Sequence, residues 1–202
     1  MLKTIVILAN SVKHHQHCVA GKCIVTKEWI RPVSSASGEA LSDEQTKYIN
    51  PHGEFSVKKK QKIEMRFESH NPLPNQPENY LISDNKWVQK YSIDNCELED
   101  YLDFPENLWG KWKSVSYDEL CSGDIVINQS LYLVKVTKLN LYLAAVNKRR
   151  AKFVYNEIDY DFPVTDPKFV EYVSPDGVTH ILCISLGEEY QGACYKIVAG
   201  LF

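Results

Sequence analysis

The sequence contains no apolar stretch approaching the roughly 18 residues that a membrane-spanning helix needs. Its opening apolar run ends at Asn10 without the small-residue cleavage site of a secretory leader. Its six cysteines are scattered and include no CxxC pair, which is typical of free thiols in a reducing compartment. These absences predict a cytoplasmic protein with no membrane segment, no metal site and no disulfide framework.

The sequence also lacks a Walker A loop and a GxGxxG loop, the two common phosphate-binding motifs. No cofactor is therefore indicated. The formal net charge is only −3, which excludes a protein that coats nucleic acid with a uniformly basic surface. Any nucleic-acid site on this chain must be a local patch.

Short β-branched and aromatic segments separated by turn residues make up most of the chain. They include Lys3–Ala9, Ile125–Ile127, and the pair Leu131–Leu139 and Leu141–Val146, for which a tight turn at Asn140 is predicted. Ser174–Gly177 reads SPDG and predicts a hairpin. Many short strands with few helices indicate a mostly β protein built from barrels or sandwiches.

The length of 202 residues suits two small units, each large enough for a five-stranded barrel. The stretch Tyr80–Lys113 is rich in aromatic residues but weakly patterned, and it is interpreted as the end of the first unit with a linker. The predicted division is therefore a first barrel with linker at 1–113 and a second barrel at 114–202.

Several blocks of the sequence resemble the dual-OB domain family, DuOB. They are ILANSVKHHQHCVAGK with EWIRPVS near the start, QPENYLI at Gln76–Ile82, VTDPKF at Val164–Phe169, and SLGEEYQGACYKIVAG at Ser185–Gly200. The resemblance implies two tandem OB-like β-barrels with a few short helices. It also implies a nucleic-acid-binding or sensing role, often beside an effector protein in bacterial defence systems.

The first candidate site lies where the opening strand meets a polar loop with glycine. Ser11, Lys13 and Lys22 would approach phosphates, Arg31 could form a bidentate contact, and Trp29 could stack on a base. In the structural alternative, Trp29 belongs to the core, Arg31 pairs with a carboxylate, and the loop only connects strands.

The second candidate site is a basic run interleaved with aromatic residues, as in grooves that bind single strands. Its cations would track the backbone while its rings stack on bases. A solvated loop tip is the structural alternative, and the run Lys58–Lys62 is a weaker case of the same pattern. The candidate residues are Lys148, Arg149, Arg150, Lys152 and Tyr155.

A catalytic or metal-binding alternative rests on Cys18 with His14, His15 and His17. Neighbours within one loop rarely give a thiol the oriented base that it needs, and HHQHC matches no common zinc spacing. The sequence therefore favours a non-catalytic nucleic-acid-binding module. The alternatives are a nucleotide or small-molecule sensor that uses the same loops, a Cys/His-dependent hydrolase or nuclease subunit, and a protein-interaction scaffold.

Overall fold

The computed structural model describes residues 1–13, 16–170, 172 and 179–202, and of Lys13 it describes only the backbone. His14, His15 and the predicted hairpin at Ser174–Gly177 lie outside the described residues. The chain divides into two compact units, Met1–Tyr101 and Leu102–Phe202.

The first unit contains a closed ring of five strands. In that ring β1 pairs with β2 and β7, and β7 pairs with β8. Strand β3 closes the ring, because it pairs antiparallel with β2 and parallel with β8. This Greek-key ring is the architecture of an OB barrel. The strands are β1 (Leu2–Lys13), β2 (Gln16–Cys23), β3 (Trp29–Val33), β4 (Leu41–Ser42), β5 (Lys47–Asn50), β6 (Gly53–Ser56), β7 (Gln61–His70), β8 (Asn79–Ile82) and β9 (Trp87–Ser92), with short 3-10 turns at Glu44–Thr46 and Glu97–Tyr101.

Gly21 on β2 pairs with Ile7 on β1, where the two strands approach closely. A methyl group at this position would collide with the backbone carbonyl of Val6. Gly21→Ala is therefore expected to lower the free energy of unfolding by about 1–3 kcal/mol, as overpacking of a core does. Urea denaturation measures this loss. Gly187→Ala is the control, because there the nearest atom is 3.3 Å from the added carbon; equal midpoints for both variants would contradict the explanation.

The second unit is built on a six-stranded sheet that curves into a half-barrel. Its sheet runs β10-β15-β14-β11-β12-β13, and a parallel bridge between Val164 and Val198 joins the end of β13 to β15. The prediction of a mostly β protein with two OB-like barrels is confirmed. The elements are β10 (Ser114–Ser116), α1 (Tyr117–Ser122), β11 (Leu131–Ala144), β12 (Lys148–Tyr155), β13 (Ile158–Pro163), β14 (His180–Tyr190) and β15 (Ala193–Leu201), with 3-10 turns at Ala145–Asn147 and Pro167–Val170.

Two local predictions in the second unit are wrong. The turn at Asn140 is absent because β11 continues through it, with a bulge between Thr137 and Asn140 where Lys138 takes a left-handed φ of 52°. Such a bulge inserts an extra residue and bends the strand without ending it. The segment Ile125–Ile127 is not a strand but an irregular segment that follows α1, with the amide of Ile125 donating to the carbonyl of Glu119 at 3.0 Å.

The segment 102–113, attached to the first unit in the sequence analysis, packs on the second barrel. The Asp103 amide donates to the Leu133 carbonyl at 2.7 Å, and Leu133 returns a hydrogen bond to the Asp103 carboxylate at 2.8 Å. Leu108 is fully buried in the second core beside Tyr160. The second compact unit accordingly begins at Leu102.

Lys196 on β15 is fully buried, although lysine is normally a surface residue. Its ammonium donates to the backbone carbonyls of Trp109 at 2.9 Å and Gly110 at 2.7 Å. Burial penalises the charged form and lowers the pKa of Lys196 to about 8. The side chain thus ties the segment before β10 to the barrel.

The lowered pKa of Lys196 makes stability depend on pH. The unfolded chain holds this proton more tightly than the folded chain, so the free energy of unfolding should rise between the folded and the unfolded pKa. We expect a gain of about 2 kcal/mol from about pH 7 to about pH 9.5. Denaturant titrations of the wild type and of Lys196→Met across this range isolate the effect. A pH dependence identical in both proteins would contradict it.

Candidate nucleic-acid interface

Strand β12 carries three cations on one face of the second barrel. Side chains alternate along a strand, so Ala151, Phe153 and Tyr155 enter the core while Lys148, Arg150 and Lys152 lie on the opposite face. We call these three residues the β12 cation row. Lys148 and Lys152 are exposed and Arg150 is half-buried.

Neighbouring strands hold Arg150 in place. Its Nε donates to the Asp161 carboxylate at 2.9 Å and its Nη2 to the Asp161 carbonyl at 2.7 Å. Tyr142, opposite Arg150 on β11, donates its hydroxyl proton to the same carboxylate at 2.6 Å. Partial burial acts to lower the pKa of Arg150, but the contacts with Asp161 raise it above its ordinary value. The guanidinium is therefore fixed on this face with the Asp161 carboxylate as its partner, and a bound phosphate would share or replace that carboxylate.

The hairpin tip between β11 and β12 adds exposed apolar side chains next to the row. Leu143 is 58% and Val146 is 90% exposed. Val146 and Asn147 both have left-handed φ angles, 60° and 55°. A β-branched residue in this region is strained, and such strain is concentrated at functional sites. The tip corresponds to the first hairpin loop of an OB barrel, one of the loops with which these barrels bind oligonucleotides.

The other two predicted residues of this run lie elsewhere. Arg149 points away from the row, with its Nη1 donating to the Asp166 carbonyl at 3.4 Å and its guanidinium 5.7 Å from the Phe169 ring centroid. Tyr155 is buried and donates its hydroxyl proton to the Pro105 carbonyl at 2.7 Å. The structure thus brings together Lys148, Arg150 and Lys152.

Four of the five candidate residues of the first barrel are buried, and the side chain of the fifth, Lys13, lies outside the described part of the structure. The side chains of Ser11, Lys22, Trp29 and Arg31 are all buried. Lys22 lies opposite Trp29 in the sheet, with its ammonium 5.3 Å from the indole centroid. Trp29 is thus a core residue, as the structural alternative proposed.

Arg31 is paired with a buried carboxylate. Its Nε lies 3.3 Å from Glu78 Oε1, and the two side chains are 8% and 5% exposed. The Arg31 amide also donates to the Glu78 carbonyl at 2.8 Å. This guanidinium joins β3 to the loop before β8.

In the weaker lysine run, Lys58–Lys62, two side chains contact other residues of the first unit. The Lys62 ammonium is buried, donates to the Tyr91 hydroxyl at 2.8 Å and lies 3.4 Å from the Glu97 carboxylate. Lys60 donates to the Asn95 side chain at 2.8 Å. The run contributes less exposed charge than its sequence indicates.

A family model for the dual OB-containing domain matches residues 3–201. The chain belongs to the DuOB family. No curated protein matches it. Among solved structures, it is similar to the crystal structure of the tetrameric p202 HIN2, at 9% sequence identity and a TM-score of 0.35, over 98% of this chain and 87% of that one.

His17, one member of the Cys/His alternative, makes two side-chain contacts in the described part of this DuOB chain. His17 is held from both sides, by Asn10 Oδ1 at 2.9 Å from Nδ1 and by Asp43 Oδ1 at 2.6 Å from Nε2. Within 1–13, 16–170, 172 and 179–202, no group of three or more His, Cys, Asp or Glu side chains could hold a metal ion. No helix in these ranges is long and apolar enough to cross a bilayer.

Tyr142 is a candidate residue of this face that the sequence analysis did not include. The polar residue Asn140 suggested a turn, so the segment after it was separated from the strand before it. Had the two been joined across a bulge, Asn140 and Tyr142 would have been placed opposite Lys152 and Arg150 on one face.

Proposed function

We propose that this DuOB protein binds single-stranded nucleic acid without catalysis, through the outer face of β11–β13 in its second barrel. The β12 cation row carries the proposal. Its members stand about 7 Å apart along an extended strand, a linear arrangement of charge that suits an extended polyanion. In OB barrels this second strand and the adjoining hairpin loop form the surface that binds oligonucleotides.

The surroundings of the row supply the second component of single-strand binding, which is contact with bases. Tyr142 lies beside Arg150 on the same face, and the exposed Leu143 and Val146 project from the adjacent tip. Stacking on an aromatic ring such as that of Tyr142 tolerates any base, since every base has a π-face. The arrangement supports binding with little sequence preference.

The net charge of −3 limits the contact to this patch. Three phosphates neutralised on a single strand correspond to a slope of about −2 in a plot of log affinity against log salt concentration. This is modest beside proteins that wrap nucleic acid. It suits a cytoplasmic sensing module beside an effector protein in bacterial defence, the setting that DuOB membership suggests.

Fluorescence anisotropy with labelled single-stranded DNA, single-stranded RNA and duplexes of equal length tests the proposal. We expect binding of a single-stranded probe with a log–log salt slope of about −2, and weaker binding of the duplex. Oligonucleotide recovered intact after incubation would agree with a binding role. Equal affinity for the duplex, or affinity that does not change with salt, would contradict the proposal.

A further inference from the structure

The second unit contains a cavity that shares no residue with the β12 cation row. Its volume is 520 Å³, within the range of about 300–1,000 Å³ typical of small-molecule sites. Its walls come from the segment before β10, from β10 itself and from the irregular segment after α1. The lining includes Glu106, Trp109, Trp112, Glu119, Val126 and Tyr132.

Two aromatic rings in this cavity are held rigidly. The centroids of Trp109 and Tyr132 are 4.4 Å apart at an interplanar angle of 31°. The Trp109 indole N–H donates to the Gln129 carbonyl at 3.0 Å, and its backbone has a left-handed φ of 53°. The buried Lys196 ammonium fixes the carbonyls of this turn. A non-glycine residue strained in this way is a feature of binding sites.

A third ring at the rim already contacts a cation of its own chain. Trp112 is 72% exposed, and Val126 beside it in the lining is 79% exposed. The Lys111 ammonium lies 5.0 Å from the Trp112 ring centroid, within the range of a cation–π contact. The ring is therefore placed where a positive charge can reach its face.

The charge of the lining has one sign. Glu106 and Glu119 supply carboxylates, while the described residues that form the wall include no lysine or arginine. Negative side chains and the negative faces of aromatic rings repel a phosphate and attract a cation. The apolar side chains of the wall can pack against the alkyl chain that carries the charged group.

We propose that this cavity binds an organic cation of the guanidinium or alkylammonium type. Trp112 lies over its charged group and Glu106 with Glu119 neutralises it. The same chemistry could reach the site as an arginine side chain of a partner protein or as a free amine. In either case the cavity excludes the phosphate-bearing ligand that the cation row attracts.

Titration of the ¹⁵N-labelled full chain, followed through its four tryptophan indole resonances, tests this proposal. The probes are acetyl-Gly-Arg-Gly-amide, its neutral citrulline counterpart, agmatine and adenosine monophosphate. We expect the Trp109 and Trp112 resonances to move with the arginine peptide or agmatine, and the buried Trp29 and Trp87 to stay in place. The tighter of these two probes identifies the source of the cation.

Variants provide the controls. Trp112→Ala should abolish the shifts, whereas Lys111→Met, which removes the competing internal cation, should tighten binding about two- to fivefold. Phe104→Ala, at an 85% exposed residue outside the lining, should change nothing. Equal shifts with the citrulline peptide, stronger binding of adenosine monophosphate, or no shift with any probe would overturn the proposal.

Discussion

Replacement of Lys148, Arg150 and Lys152 together by serine is expected to weaken single-strand binding about 100-fold at roughly 0.1 M salt. Each cation that neutralises a phosphate contributes about 0.7 to the salt slope, so loss of three removes a slope of about 2. The affinities of wild type and variant should converge as salt rises. Anisotropy titrations from about 50 mM to about 500 mM salt measure both quantities.

The matched control for this variant is the serine replacement of Lys58, Lys59 and Lys60 in the first barrel. It removes the same formal charge from the chain, so a general loss of attraction would affect both variants alike. We expect it to keep most of the wild-type affinity and slope. If the two variants behave identically, the binding charge is spread over the protein and the β12 cation row has no special role.

Arg31→Met is expected to lower the free energy of unfolding by about 3–5 kcal/mol. Removal of one partner from a buried ion pair leaves the other charge, here that of Glu78, buried with less compensation. Urea denaturation of the variant measures the loss. The folded fraction should still bind the oligonucleotide with wild-type affinity, because Arg31 is buried in the first unit and the proposed interface belongs to the second.

The double variant Arg31→Met with Glu78→Gln separates charge from packing. Since both charges are gone, it should recover much of the lost stability. A stable Arg31→Met protein with weakened oligonucleotide binding would return Arg31 to the nucleic-acid site and contradict its structural role.

The β12 cation row could be predicted from the sequence because its signal is local. A strand with period two places Lys148, Arg150 and Lys152 on one side once the strand itself is recognised. The same rule separates them from Arg149 and Tyr155. The prediction treated the run as one group because its direction of alternation was not assigned.

The first-barrel site could not be judged in this way, because its outcome depends on a distant partner. Arg31 is buried against Glu78, which lies 47 residues later in the loop before β8. A single sequence does not show which distant residues form an ion pair in the fold. The contact between Leu108 and Tyr160 likewise joins residues that are 52 positions apart.

Tyr142 was not predicted from the sequence for a different reason, which is the bulge in β11. Local polarity at Asn140 resembles a turn, and the extra residue that a bulge inserts shifts the alternation by one position. The strand therefore reads as two short ones. Pairing with β12 restores the register, and only the fold shows that pairing.

Photocrosslinking of the full chain to a single-stranded oligonucleotide that carries 4-thiouridine, followed by mass spectrometry of the crosslinked peptides, tests the central claim most directly. The account predicts crosslinks concentrated in 140–154, with Tyr142 and the tip at Leu143–Val146 foremost, and their loss in the Lys148/Arg150/Lys152 variant. Crosslinks that fall mainly on the first barrel, or that persist unchanged in the variant, would contradict it.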